Sequence, residues 1–248
     1  MRRLTIIAVA IALGTAMAIG CSRDADVPLI HAAASLVDVL EEAGAEYEAE
    51  TGKSVRFSFA GSNLIANQII AGAPGDAVIF AGETPIDKLV VAEKVAESEI
   101  AQILSNRLVV VKSSSSVANH NDPSQLVGAG KIAIPDPATS PAGEYVEAAL
   151  RELGLLDSLQ DQIVPTLNVR AALAAAESGN VAYAFVYRTD ALSTTGVEIV
   201  FDISGMTETT KPKYYAAPIS GDGPTREFIE FLQSLAARTI FERHGFER

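Results

Sequence analysis

The sequence predicts an α/β fold of two lobes, each a mixed sheet flanked by helices, with a ligand cleft between the lobes. Strand-like and helix-like patterns alternate up to about residue 104, and the same alternation starts again at residue 106. No repeat period of roughly 20 to 50 residues is evident, which argues against a solenoid. Residues 29–105 plus 222–248 are predicted to form lobe 1 and residues 106–221 lobe 2, with crossing strands between them.

In the first half, short apolar or alternating runs predict strands, and runs with apolar residues at helical spacing predict helices. Leu36, Val39 and Tyr47 follow the helical spacing, and Gly52 is a typical stop. The predicted elements are strand 27–33, helix 35–52, strand 54–60, helix 62–72, strand 76–82 and helix 84–95.

The second half repeats this order after an apolar run that starts at residue 106. The predicted elements are strand 131–136, helix 140–154, strand 162–168, helix 169–179, a strand and turn over 181–191, a late strand over 211–220 and a C-terminal amphipathic helix over 223–246. Phe228, Phe231, Leu232 and Leu235 lie on one face of that last helix.

The first 21 residues have the layout of a secretory signal, with Arg2 and Arg3 before an apolar stretch that ends in small residues. Cys21, the single cysteine, ends this segment, and "AIGC" resembles a bacterial lipobox, which implies lipidation of Cys21. An ordinary signal peptide and an uncleaved anchor are the alternatives. Residues 22–28 are predicted to be a tether, and the remaining chain is expected to lie outside the cytoplasm.

The net charge of −12 and the absence of basic runs longer than two residues argue against nucleic acid or an anionic membrane as a partner. Gly128, Gly130 and Lys131 do not form a phosphate loop, because the glycine spacing differs and Ile132 follows the Lys in place of Ser or Thr. They do not form a dinucleotide fingerprint either, because the glycines precede a strand instead of opening a helix. His31, His120 and His244 lack the spacing of metal ligands.

Four predicted helices begin where a strand has just ended. Ser35 and Ser62 lie at two of these starts, Pro141 suits the first helical position of the third, and Asn168 can cap the fourth. Each serine alone is explained by helix capping, and Asp38 would complete a capping box with Ser35.

Taken together, the four starts predict an anion site without a formal positive charge. A helix N-terminus offers unpaired N–H groups and a partial positive charge, and ligands of α/β sheets lie beyond the carboxyl ends of the strands. Small residues at Ala34, Gly61, Ala142 and Gly143 would let the backbone approach such a ligand.

Five blocks, "HAAASLVDVLEE", "FAGSNLIANQIIAGAPGDAVIFAG", "IPDPATSPAGEYVEAAL", "NVRAALAAAESG" and "FVYRTDA", resemble in this order the periplasmic molybdate-binding proteins, the substrate receptors of ABC importers. The resemblance runs from about residue 29 to "HGF" near the C-terminus. It implies a type II periplasmic binding protein that captures molybdate or tungstate, with an importer permease as partner, no cofactor and no catalysis. A monomer located in the periplasm or at the outer face of the cell membrane is expected.

The resemblance also implies the ligand-binding groups. Ser35 and Ser62 would bind through their hydroxyls, and Ser62 also through its backbone N–H. Ala142 and Val169 would bind through their backbone N–H groups only, and Tyr187 would bind through its phenol. The chain departs from the family around Ser62, where Gly61 or Asn63 replaces a neighbouring hydroxyl residue.

Two nearby residues are left out of the ligand set. Tyr183 is expected in the core, and Arg170 is expected to pair with a carboxylate such as Asp190.

Two alternatives remain open at the level of sequence. One is a receptor of the same build for sulfate, phosphate or another small anion. The other is a secreted serine hydrolase using Ser35 or Ser62, for which His31, four residues before Ser35, would be a poorly placed base.

Overall fold

The computed structural model describes residues 27–207, 211–219 and 223–247. The predicted signal segment, Cys21 and residues 22–26 of the tether lie outside the described residues. Among those that are described, no helix has both the length and the apolar character needed to cross a membrane.

The described strands alternate with helices along most of the chain. The strands are β1 Leu29–Ala33, β2 Arg56–Ala60, β3 Ala77–Ala81, β4 Ala101–Ser105, β5 Leu108–Ser113, β6 Ile132–Pro135, β7 Ile163–Thr166, β8 Tyr183–Tyr187, β9 Val197–Asp202 and β10 Lys213–Pro218. The α-helices are α1 Val37–Thr51, α2 Ser62–Ile70, α3 Thr84–Val91, α4 Pro141–Glu152, α5 Leu156–Leu159, α6 Val169–Glu177, α7 Arg188–Leu192, α8 Gly223–Phe231 and α9 Leu235–Arg243. Short 3₁₀ turns cover Ala34–Leu36, Glu97–Glu99, Pro123–Leu126 and Gln160–Gln162.

The strands form two mixed five-stranded sheets, ordered β2-β1-β3-β10-β4 and β7-β6-β8-β5-β9. In each sheet the first three strands are parallel, and the fourth and fifth continue by antiparallel pairing. The predicted fold class is therefore confirmed for both lobes. The helix starts that the sequence singled out follow the ends of β1, β2, β6 and β7, so they lie at the carboxyl edges of the parallel strands.

The late strand lies in a different lobe from the one predicted. Residues 106–221 were assigned to lobe 2, but β10 pairs antiparallel with both β3 and β4 in the first sheet. The physical reason is that β10 lies between β3 and β4 and hydrogen-bonds to both of them. Tyr214 lies opposite Ala81 of β3 on one side and opposite Leu104 of β4 on the other. The chain thus leaves lobe 1 after Ser105 and re-enters it at Lys213.

Two strands, β4 and β9, were not predicted, and the C-terminal helix is divided in two. The strands β4 and β9 are outer strands of their sheets, and each has exposed or half-exposed residues. The helical pattern over residues 223–246 breaks after Phe231, and Ser234 caps α9 by accepting a hydrogen bond from the N–H of Ala237 at 3.2 Å.

One apolar cluster runs through both lobes. It joins Ile30 and Phe228 of lobe 1 to Leu108 and Phe185 of lobe 2. At the crossing between lobes, the rings of Tyr187 and Tyr214 lie 6.0 Å apart, edge to face. The side chains of the two lobes therefore pack against each other at the hinge, which is formed by the two chain crossings after Ser105 and before Lys213.

Candidate functional site

The five predicted ligand residues are all buried where the lobes face each other. Their exposed fractions are 3% for Ser35, 1% for Ser62, 0% for Ala142, 2% for Val169 and 1% for Tyr187. The 3₁₀ turn Ala34–Leu36 of lobe 1 contacts helix α6 of lobe 2, which begins at Val169. A dry environment of this kind strengthens hydrogen bonds to an anion.

Ser35 does not cap a helix. It lies inside the 3₁₀ turn, the α-helix that follows has Leu36 at its N-cap, and neither N-cap makes a side-chain bond. Its Oγ instead lies 3.0 Å from the hydroxyl of Tyr214 in β10. The capping explanation therefore does not account for Ser35.

Ser62 is the first residue of α2, after Gly61 at the N-cap. Its Oγ accepts a hydrogen bond from the N–H of Ala81 at 3.2 Å. Because a backbone N–H can only donate, the hydroxyl hydrogen of Ser62 is left to point elsewhere.

The second lobe contributes two helix N-termini. Ala142 follows Pro141 in the first turn of α4, and Val169 is the first residue of α6, where Asn168 Oδ1 accepts from the N–H of Ala171 at 3.1 Å. Asn168 thus caps α6 as the sequence predicted. Within the part of the chain that the structure describes, the N–H groups of Ala142 and Val169 have no recorded acceptor, as expected for first-turn amides.

Tyr187 ends β8 with a buried hydroxyl. Among the described residues this hydroxyl has no hydrogen-bond partner. Burial raises the pKa of Tyr187 well above its ordinary value, so the phenol keeps its proton and is a donor at neutral pH. A buried polar group without a partner costs free energy, which makes this hydroxyl a candidate ligand group.

Arg170 is paired with carboxylates of both lobes. Its Nε lies 2.8 Å from Asp190 and its Nη2 lies 2.6 Å from Asp38 in α1. The expected pairing with Asp190 is confirmed, and the contact to Asp38 adds a bond between lobes. Burial raises the pKa of Asp190 to about 6, against the opposing effect of Arg170.

A second set of bonds joins the lobes beside α2 and α4. Asn63 donates through Nδ2 to the carbonyl of Pro137 at 2.7 Å and to Glu144 Oε1 at 2.6 Å, and Thr84 donates to Glu144 Oε2 at 2.7 Å. Burial raises the pKa of the nearby Tyr145 phenol to about 12. The lobes are therefore in direct polar contact around the candidate site.

Close backbone approach between the lobes depends on Gly61. A Cβ at this position would overlap the carbonyl oxygen of Thr139, and it would lie 3.1 Å from the carbonyl of Leu167. The N–H of Leu64 donates to the same Thr139 oxygen at 3.1 Å. The start of α2 is thereby pressed against the two loops that lead into α4 and α6.

Sequence reasoning missed Tyr214, Asn106 and Glu144. Tyr214 and Asn106 lie at the two crossings between lobes. Tyr214 contacts Ser35, and Asn106 contacts Tyr214, only because folding brings together residues that are far apart in the sequence. Glu144 had a weak signal, because it falls in the first turn of a helix where an acid is usual. Tyr183, predicted as core, is buried and its hydroxyl lies 2.6 Å from His120 Nδ1.

Over the described ranges, no group of three or more His, Cys, Asp or Glu side chains has the arrangement of a metal site. The candidate site is instead a set of neutral donors drawn from both lobes, and such a set suits a desolvated anion.

Comparison with known proteins identifies the family. Residues 29–247 match the family described as bacterial extracellular solute-binding protein. The chain belongs to this family. The molybdate-binding protein ModA of Escherichia coli is 32% identical over 225 residues, which cover 88% of this chain and 87% of that protein.

Solved structures share the fold of this chain. The periplasmic molybdate-binding protein of Azotobacter vinelandii has a TM-score of 0.77 at 22% identity, covering 89% of this chain and 99% of that chain. The sulfate-binding protein SubI of Mycobacterium tuberculosis has a TM-score of 0.75 at 19% identity, covering 89% and 86%. These two likenesses show the fold alone, and they confirm the two-lobed periplasmic binding protein architecture.

Proposed function

We propose that this solute-binding protein captures molybdate or tungstate outside the cytoplasm and delivers it to the permease of an ABC importer. The observation that carries the proposal is the buried hydroxyl of Tyr187, which has no hydrogen-bond partner among the described residues. The sequence likeness to a molybdate-binding protein over most of both chains supports the same ligand.

In this proposal the ligand groups are the hydroxyls of Ser35, Ser62 and Tyr187 and the N–H groups of Ser62, Ala142 and Val169. Hydrogen bonds to a charged acceptor contribute about 1.5 to 3 kcal/mol each, so about six of them suffice for tight binding after the cost of ordering the partners. Since the donors come from both lobes, the closed arrangement binds the anion better than an open one.

We propose that the site distinguishes molybdate and tungstate from sulfate by the size of the anion. Sulfate is smaller than molybdate, so its oxygens would not reach every donor at once, and donors left unpaired in a dry site are costly. Molybdate and tungstate have nearly the same size and charge, so both are expected to bind.

Isothermal titration calorimetry of the purified protein with sodium molybdate, tungstate, sulfate and phosphate tests this proposal. We expect tight binding of the first two anions and binding weaker by about 100-fold or more for sulfate and phosphate, the equivalent of about two lost hydrogen bonds. Equal affinity for sulfate would contradict it. Sulfate is the second candidate ligand, because a sulfate-binding protein shares the fold.

A binding role without catalysis is part of the proposal. His31 Nε2 lies 2.8 Å from the carbonyl of Pro74, and Ser35 faces Tyr214, so the nearest histidine in sequence has a different partner from the serine it would have to activate. Treatment with a serine-directed fluorophosphonate should give no adduct on Ser35 or Ser62 by mass spectrometry. A labelled serine would favour the hydrolase instead.

We also propose that the mature protein is a monomer that begins at a lipidated Cys21. The lipobox-like "AIGC" supports this, and the lipid would hold the protein at the membrane. Mass spectrometry of the protein isolated from a bacterial envelope, with a Cys21→Ser variant as control, would show whether the diacylglyceryl mass is present. Light scattering would give the oligomeric state.

A further inference from the structure

Ser35 is joined to the hinge by a chain of buried hydrogen bonds. The hydroxyl of Tyr214 lies 3.0 Å from Ser35 Oγ and accepts a hydrogen bond from Asn106 Nδ2 at 3.2 Å. Asn106 lies between β4 and β5, at the first crossing between lobes, and Tyr214 lies in β10, just after the second. The N–H of Asn106 also donates to the carbonyl of Pro212 at 2.9 Å, so the two crossings are tied together.

The backbone fixes the orientation of the Asn106 amide. The N–H of Arg107 donates to Asn106 Oδ1 at 2.8 Å. Because a backbone N–H can only donate, the atom that receives it must be the oxygen, and the NH₂ group must face Tyr214. The same NH₂ group donates to Thr189 Oγ1 at 2.9 Å.

This orientation determines the direction of the next bond. The oxygen of Tyr214 already accepts from Asn106, and Ser35 and Asn106 are the recorded partners of this hydroxyl among the described residues. If Ser35 donated to Tyr214, the phenol hydrogen would be buried without an acceptor, which is costly. Tyr214 therefore donates to Ser35 Oγ. Burial also raises the pKa of Tyr214 above its ordinary value, so the phenol hydrogen is retained.

We infer that Asn106 and Tyr214 are positioning residues that turn the hydroxyl hydrogen of Ser35 toward the bound oxyanion. This inference rests on the proposed function, in which Ser35 is a ligand group. Neither residue touches the anion in this arrangement. Each acts by making Ser35 a donor before the anion arrives, so that less ordering is left to be done on binding.

A double-mutant cycle tests the inference. Affinity for sodium molybdate is measured by calorimetry for the wild type, Ser35→Ala, Tyr214→Phe and the double variant. We expect Ser35→Ala to weaken binding by about 10- to 100-fold and Tyr214→Phe by about 5- to 10-fold, since the first removes a bond to the anion and the second only its orientation. The double variant should bind as Ser35→Ala does, within about twofold.

Tyr183→Phe is the matched control, because Tyr183 is also a buried tyrosine with a bonded hydroxyl but belongs to the second sheet. Its affinity should match the wild type. Losses that multiply in the double variant, or a Tyr214→Phe variant that binds normally, would overturn the inference while leaving the proposed function intact. A wild type that does not bind molybdate would remove the proposed function itself.

Asn106→Asp gives a second test that does not depend on the folding of Tyr214→Phe. A carboxylate of the same shape can only accept, so Tyr214 would donate to it, and Ser35 would keep its hydrogen bond to Tyr214 only by donating its own hydrogen. We expect Asn106→Asp to weaken molybdate binding at least about threefold more in the wild-type protein than in the Ser35→Ala variant. In the Ser35→Ala variant only the effect of the added charge remains. Equal losses in the two backgrounds would overturn the inference.

Discussion

The two lobes present hydrogen-bond donors to the candidate site in different ways. In lobe 1 the hydroxyl oxygens of Ser35 and Ser62 are engaged by Tyr214 and by the N–H of Ala81. In lobe 2 the donors are helix N-terminal amides and the unpartnered hydroxyl of Tyr187. The comparison teaches that lobe 1 holds its donors oriented in advance, whereas lobe 2 has a donor whose hydrogen bond only a ligand would complete.

The largest expected effect comes from keeping the lobes apart. Gly61→Ala should weaken molybdate binding by up to about 150-fold, because overpacking against a rigid backbone costs roughly 1 to 3 kcal/mol and here opposes closure directly. The φ of −66° at Gly61 suits alanine, so the effect would come from the carbonyls of Thr139 and Leu167 and not from backbone strain. Calorimetry gives the affinity, and small-angle X-ray scattering gives the shape with and without molybdate.

Gly223→Ala is the control for that experiment, since a Cβ there meets no atom within 4 Å. It should bind and close as the wild type does. A Gly61→Ala protein that still compacts on adding molybdate would show that close approach at α2 is not required.

The next largest effect is expected from removing one donor hydroxyl in each lobe, and the two variants should differ in stability although they lose similar affinity. Ser62→Ala and Tyr187→Phe should each weaken molybdate binding by about 10- to 100-fold, the equivalent of one hydrogen bond to a charged acceptor. Ser62→Ala should also lower the free energy of unfolding of the ligand-free protein by about 1 kcal/mol, because the N–H of Ala81 loses its acceptor. Tyr187→Phe should leave that free energy unchanged or raise it. Urea unfolding monitored by circular dichroism measures both, and equal destabilisation by the two variants would refute the distinction.

The smallest effect concerns the charged contact between lobes. Asp38→Asn should weaken molybdate binding by only about two- to fivefold, because a partly exposed ion pair contributes less than about 1 kcal/mol. Asp38 is 46% exposed, and Arg170 keeps its buried partner Asp190 within lobe 2. The difference from wild type should shrink when the titration is repeated in high salt.

Glu46→Gln, which neutralises an exposed acid of the same helix, is the control for the change in net charge. A loss from Asp38→Asn as large as that from Ser62→Ala would mean that the ion pair, and not the neutral donors, governs closure.

Much of the fold could be predicted because its signals are local. Helix α1, with its apolar spacing and its left-handed Gly52 at the C-cap with φ 70°, and the buried strand β3 were found from periodicity and end signals. Strands β4 and β9 were missed because neither is followed by a helix, so both fall outside the alternation of strand and helix by which the other elements were identified. The placement of β10 was wrong because its own residues specify a strand but not its neighbours.

The candidate site divides in the same way. The four helix starts and the cap at Asn168 follow from turn and cap residues adjacent in the chain, and the structure brings those starts to the facing edges of the two lobes. The resemblance, and not periodicity, implied Tyr187 and the roles of the two serines. That Ser35 is held by Tyr214 instead of capping a helix could not be predicted, because 179 positions separate the two residues.

The sequence by itself determined most of the order of strands and helices, the small residues at the four helix starts and the absence of a formal positive charge among the predicted ligand groups. Short-range periodicity and cap chemistry contain that information. Only the tertiary structure decided which sheet β10 joins, how closely Gly61 approaches Thr139 and that Ser35 lies beside the hydroxyl of Tyr214. Those features depend on pairing and hydrogen bonds between residues far apart in the chain, which exist only once both lobes are folded and packed.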